Sequence, residues 1–183
     1  KCSIRAPFHS QVKNIKYDIV IEPKMSFGTA HHETTVMMIE LLINEDLKGK
    51  NILDMGCGTG VLAILCSKLG AEEITAIDNN EWAYKNSIEN IKRNNITNIH
   101  IFFGDSSLLQ NKSFDKIVAN INRNVLLQDL PVYSKSLKNK GILLISGFYK
   151  KDLPVLKATA KKNNLRFIKY TTKNNWAAAF FIR

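Results

Sequence analysis

The run DMGCGTG, residues 54–60 of this 183-residue chain, has the residue types and spacing that speak most directly of chemistry. Glycine at positions 56, 58 and 60 lets a backbone turn tightly and approach a ligand where any Cβ would intrude. A β-type run, residues 51–55, precedes the glycines, and a helical run, residues 61–69, follows them. A loop so situated presents the N–H groups and partial positive charge of a helix start, which suit a carboxylate or a phosphate. The dinucleotide pattern G-x-G-x-x-G would require glycine at position 61. Val61 stands there instead.

Other polar residues fall at the ends of expected strands. Asp78, 22 residues after Gly56, closes the run 73–77, where a carboxylate can accept from both hydroxyls of a ribose. Asp105 follows the run 99–103 and would lie near an adenine, accepting from its exocyclic amine; Ser106 or a backbone group could serve instead. Asn120 ends the run 114–119. Ligands of open α/β sheets bind beyond the carboxyl ends of the strands, near the reversal of strand order. Asn120 is therefore expected where donor and acceptor meet, its amide oxygen orienting an amine, although a strand-end Asn also suits a simple turn.

A second motif is EPKMSFGTAHHETT, residues 22–35. His31, His32 and Glu33 are adjacent, and neighbouring side chains on a helix point about 100° apart, so they do not converge on one ion. Zinc would need further ligands as well, and no metal site is expected. The stretch reads better as a helix start that closes over a ligand, with Thr29 as N-cap and Thr35 offering a hydroxyl.

These residues need a frame that brings strand ends together. From about residue 51, β runs alternate with helical runs at 61–69, 81–94, 124–137 and 152–163, with Pro131 expected to break the third. The helix at 81–94 is expected to turn Trp82, Ile88 and Ile91 to the core. A fifth strand spans 141–146. The last two runs, 165–171 and 176–182, are joined by Lys173, Asn174 and Asn175, too short a link for a parallel crossover, so they form an antiparallel hairpin. The fold class is α/β: a Rossmann-like, seven-stranded, mostly parallel sheet with helices on both faces and a C-terminal antiparallel hairpin. Ahead of it lie a strand at 17–22 and a helix at 31–43.

Composition narrows the setting. At 45% hydrophobic the chain suits one domain, and no run approaches the roughly 18 apolar residues of a membrane span. The first residues lack the apolar core of a signal peptide and do not begin with methionine, so a fragment of a longer chain is expected. Cys2, Cys57 and Cys66 are odd in number and form no C-x-x-C pair, which fits a reducing cytoplasm, with Cys57 and Cys66 read as packing residues. The net charge of +10 comes mostly from scattered lysines, a solvated surface more than a specific nucleic-acid site. A monomer is expected.

Taken together, EPKMSFGTAHHETT, DMGCGTG, Asp78, VAN at residues 118–120 and the terminal WAAAFFIR resemble the ribosomal protein methyltransferases of the PrmA type over residues 17–183. The resemblance implies S-adenosylmethionine as cofactor, and as partner a large-subunit ribosomal protein methylated on lysine side chains and its N-terminal amine. It implies cofactor contacts at Thr35, Gly56, Asp78 and Asn120, to which the geometry above adds Asp54, Gly58, Gly60 and Asp105. Phe27, Gly28, Thr29, His31 and His32 would border the methionine end of the cofactor and the acceptor channel. Residues 1–16 would then end a linker from an N-terminal recognition domain. Ala30 stands where the family usually has Gly, and Asn122 and Arg123 where small or apolar residues are usual. A nucleic-acid methyltransferase is disfavoured because residues 120–123 read NINR in place of N-P-P-[YF], which removes the platform for a flipped base. A cofactor-binding fragment, inactive without its recognition domain, is the other alternative.

Overall fold

Ile52, Leu53, Ile74, Ile77, Ile117, Val118, Leu143 and Leu144 are all fully buried, as they must be in parallel strands covered on both faces. The computed structural model describes residues 2–22 and 32–183. Its strands are β1 (Cys2–Arg5), β2 (Tyr17–Val20), β3 (Asn51–Met55), β4 (Glu73–Asp78), β5 (Ile99–Phe103), β6 (Phe114–Asn120), β7 (Leu137–Tyr149), β8 (Arg166–Lys173) and β9 (Trp176–Ile182). The helices are α1 (Glu33–Ile43), α2 (Val61–Lys68), α3 (Glu81–Arg93), α4 (Arg123–Ser136) and α5 (Leu153–Lys162).

Seven strands form one sheet in the order β5-β4-β3-β6-β7-β9-β8. The pairs from β5 to β7 are parallel, and β9 is antiparallel to both its neighbours. The chain steps outward from β3 to β5, then returns to lay β6 on the other side of β3. That reversal opens a crevice at the carboxyl ends of β3 and β6. Buried side chains of α1 and α2, with Ile91 of α3, cover one face of the sheet; Leu126, Leu130 and Tyr133 of α4 and Leu156 and Ala160 of α5 cover the other. Asn174 and Asn175 take φ of +47° and +68°, the left-handed pair that a two-residue hairpin turn needs and that Asn tolerates.

Several expectations are corrected. α4 runs unbroken through Pro131: a proline forfeits one helical hydrogen bond, and Leu126, Leu130 and Tyr133, buried on both sides of it, hold the helix to the sheet. Trp82 is 76% exposed. The buried face of α3 is Ala83, Asn86, Ser87, Asn90 and Ile91, a helical period that leaves Trp82 off to one side. α1 begins at Glu33 with His32 as its cap, while Thr29, the expected cap, lies outside the described residues. β7 starts at Leu137 and runs well past the expected 141–146.

β1 gave no sequence signal. It pairs in parallel with β2, whose edge is met by side chains of α3 instead of another strand. Asn94 accepts from Val20 N–H at 3.0 Å and donates to Val20 C=O at 2.7 Å, and Asn90 accepts from Glu22 N–H at 3.0 Å.

Candidate functional site

The glycine loop is shaped by backbone bonds to the end of β4. Gly56, Gly58 and Gly60 take φ of +68°, +55° and +79°, conformations that cost a side-chain-bearing residue strain. The N–H groups of Gly56 and Cys57 donate to Ile77 C=O at 2.8 and 3.1 Å. Asp78, one residue on and 8% exposed, takes Gly58 N–H on one carboxylate oxygen at 2.8 Å and Asn80 N–H on the other at 2.9 Å. Asn80 in turn caps α3, accepting from Trp82 and Ala83 N–H. Asp78 thus ends β4, fixes the loop and fixes the next helix at once.

Asp54, 1% exposed, accepts from Ala63 N–H at 3.0 Å and so holds the first turn of α2. Burial pushes its carboxyl up to about 7; the neighbouring Asp78 charge adds to the rise and the Ala63 bond opposes it. Gly60 opens α2 without a side-chain cap. Asp54 and Asp78 thus stand behind one loop, each engaged by backbone N–H groups.

A clamp joins this loop to β6. Ile121 follows Asn120, and a Cβ added at Gly56 would lie 2.1 Å from its Cγ2. On its other side, a Cβ at Gly147 (φ +92°) would lie 2.2 Å from Ile121 O. Glycine at both positions lets Ile121 sit between the loop and β7. Asn120 is thereby set at the crevice, where its Nδ2 donates to Thr35 Oγ1 of α1 at 3.2 Å. Two residues singled out separately in the sequence are brought into contact across 85 positions. Asn122 is the N-cap of α4, accepting from Asn124 and Val125 N–H at 3.1 Å each.

Asp105 is exposed and accepts from Ser107 N–H at 2.9 Å, capping its own short turn; hydrogen bonds from Ser107 hold its carboxyl below the usual range. Ser106 donates to buried Asp129 of α4 at 2.9 Å, and Tyr133 donates to the other Asp129 oxygen at 3.0 Å, which anchors this turn to the second helical layer. Phe27, Gly28, Thr29 and His31 lie outside the described residues. His32 accepts through Nδ1 from Thr34 N–H at 3.3 Å and packs edge-on against Trp176, ring centres 4.8 Å apart.

Sequence reasoning missed two residues here. Trp176 stacks on Tyr149 with centres 4.2 Å apart and planes 29° from parallel. Both lie at the carboxyl edge: Asn120 pairs with Ser146, Ser146 with Ala178, and Tyr149 with Trp176. The aromatic pair therefore stands one and two strands from Asn120, on the side away from the glycine loop, roughly 5–10 Å across the sheet. An exposed tyrosine closing a strand carries no signal of its own. Trp176, heading a run of alanines, was visible only as part of the hairpin. Among the described residues no three His, Cys, Asp or Glu side chains gather as metal ligands would, and no helix is long and apolar enough to cross a membrane.

The family model described as ribosomal protein L11 methyltransferase (PrmA) matches residues 3–183. The chain is 49% identical to the ribosomal protein L11 methyltransferase of Porphyromonas gingivalis, over 99% of its own length and 63% of that protein's. It is 48% identical to that of Phocaeicola vulgatus, over 100% and 65%. It thus spans somewhat under two thirds of the length of these relatives. Among solved structures, the ribosomal protein L11 methylase of Lactobacillus delbrueckii subsp. bulgaricus superposes with a TM-score of 0.88 at 26% identity, covering 98% of this chain and 92% of that one.

Proposed function

The chain belongs to the ribosomal protein L11 methyltransferase family, and on that premise we propose that it binds S-adenosylmethionine and methylates amine nitrogens of ribosomal protein L11, on lysine side chains and the N-terminus. The observation that carries this reading is the Ile121 clamp, which packs the residue after Asn120 against Gly56 of the loop that Asp78 fixes. In this reading residues 17–183 form the methyltransferase domain, residues 1–16 lead into it from a recognition domain, and the protein works as a cytoplasmic monomer.

The residues present fit the cofactor. Asp78 would take the ribose hydroxyls, Asp105 or its neighbour Ser106 the adenine, and the start of α2 with Gly56, Gly58 and Gly60 the carboxylate of the methionine end. Phe27, Gly28, Thr29, His31 and His32 would border that end and the acceptor channel. When bound, S-adenosylmethionine supplies a methyl group already activated by its positive sulfur. What remains for the protein is to position and desolvate the amine.

Asn120 does the positioning. Its Nδ2 is committed to Thr35, which leaves Oδ1 as the atom to accept an amine N–H and aim the nitrogen lone pair at the methyl. A lysine of ordinary pKa is neutral at pH 7 at a cost of about 4.6 kcal/mol. Exclusion of water as cofactor and acceptor meet at Asn120 would disfavour the ammonium form and lower that cost.

The test is calorimetric titration with S-adenosylmethionine, followed by a methyl-transfer assay on purified ribosomal protein L11. Binding and transfer to amines are expected. Failure to bind either S-adenosylmethionine or S-adenosylhomocysteine would overturn the reading; binding without transfer would place recognition in chain beyond these residues.

A further inference from the structure

Arg123 sits at the start of α4, three residues after Asn120, and would put a guanidinium charge near the mouth that an ammonium-bearing side chain must enter. Its Nη1 donates to Asp152 Oδ1 at 3.2 Å, while Nε and Nη2 donate to Asn124 Oδ1 at 3.2 and 2.9 Å. Asp152 is 8% exposed, and its second oxygen accepts from Tyr149 N–H at 3.1 Å. That tyrosine stacks on Trp176, which meets His32, one turn of α1 before Thr35. Thr35 returns to Asn120.

The contacts therefore close a ring round the carboxyl ends of β6 and β7 and the amino end of β9. Facing this ring are the exposed cations Lys150 and Lys151, the latter 5.7 Å from the Tyr149 ring centre, and the carboxylate of Glu33, which accepts from Asn174 at 2.9 Å. Asp152 is the buried carboxylate among them and the one that meets Arg123.

We propose that Asp152 is a specificity-determining residue of the acceptor mouth: by pairing with Arg123 it offsets a charge that would otherwise repel a cationic amine substrate. This rests on the amine-methylation reading above. Asp152 has two separable tasks, neutralising Arg123 through one oxygen and holding the Tyr149 backbone through the other. Asp152→Asn removes the first and can keep the second, because an amide oxygen still accepts from Tyr149 N–H.

The experiment is steady-state methylation of ribosomal protein L11 by the parent protein, Asp152→Asn, and Asp152→Asn with Arg123→Gln, at low and high salt. Asp152→Asn is expected to raise KM about three-fold at low salt, the size of one unit charge acting across a solvated rim. Its kcat and S-adenosylmethionine affinity should stay within about two-fold of the parent's. The KM rise should shrink at high salt, and Arg123→Gln should restore the parent value. A purely structural loss at Tyr149 would neither fade with salt nor be rescued by removing Arg123, so either result overturns the inference, as does an unchanged KM. A parent protein that binds the cofactor and methylates no amine of L11 would sink the functional reading and this inference together; a methylating parent with a neutral Asp152→Asn sinks this inference alone.

Discussion

On one side of β3 the loop, β4 and α3 meet through backbone N–H groups converging on Asp54 and Asp78, all within residues 54–80. On the other side β6, β7, β9 and α1 meet through side chains drawn from residues 32 to 176: Thr35 on Asn120, His32 on Trp176, Trp176 on Tyr149. The first arrangement draws every donor from the backbone and depends on only two side chains, Asp54 and Asp78. The second suits an acceptor that must be told from others, since each contact depends on a replaceable side chain. Ile121, held between Gly56 and Gly147, is where the two halves lock.

The sharpest probe of the first half is its internal charge. Asp54 titrates at about 7 in the folded protein and near 4 when unfolded. Folding therefore takes up a proton between those values, and stability falls as pH rises through that window, the full penalty being carried above it. Asp54→Asn removes the ionisation and should gain on the parent by up to about 4 kcal/mol between pH 4 and pH 8. Thermal melts across that range check it, and a pH-independent gap would mean that the loop does not rest on a buried carboxylate.

Next in size is the lock. Gly147→Ala meets three Ile121 backbone atoms within 3.0 Å at a positive φ, and should cost about 3 kcal/mol in denaturant unfolding. A variant of parental stability would show the halves to be uncoupled there.

The remaining two contrast the halves directly. Asn120→Ala should lower kcat about a hundred-fold and weaken S-adenosylmethionine binding, to which Asn120 also contributes, by no more than about ten-fold; a loss of affinity as large as the loss of kcat would erase the division of labour. Asp78→Ala should weaken S-adenosylmethionine binding about thirty-fold by calorimetry. Undiminished affinity would remove Asp78 from the ribose.

The same division explains what could be read from the sequence. The glycine loop, Asp78 and the strands around them are local patterns, where spacing alone dictates geometry, and they stand where expected. Asn120 and Thr35 were each visible as polar groups at element ends, but their contact depends on how α1 lies over β6. Tyr149 and Trp176 were invisible as a pair. Their stacking follows from the bulge between Ser146 and Phe148, which shifts the β7–β9 register, and no run of residues announces such a shift. Pro131 and Trp82 misled for a related reason: a residue's own preference was outweighed by the packing of its neighbours.

The order of the strands bears on how the protein is made. β9 follows β8 in sequence yet lies inside the sheet, between β7 and β8. As the polypeptide emerges during translation, β3, β4 and β5 can pair at once, whereas β8 is synthesised with no partner until β9 arrives. A chain arrested before residue 176 would keep a bare β7 edge and leave Leu143 and Leu144 without the cover of Phe180 and Phe181. Such a chain exposes apolar strand edge, the feature that drives aggregation and draws chaperones and proteases. A copy cut short at that point would be marked for removal by the same apolar edge that β9 covers.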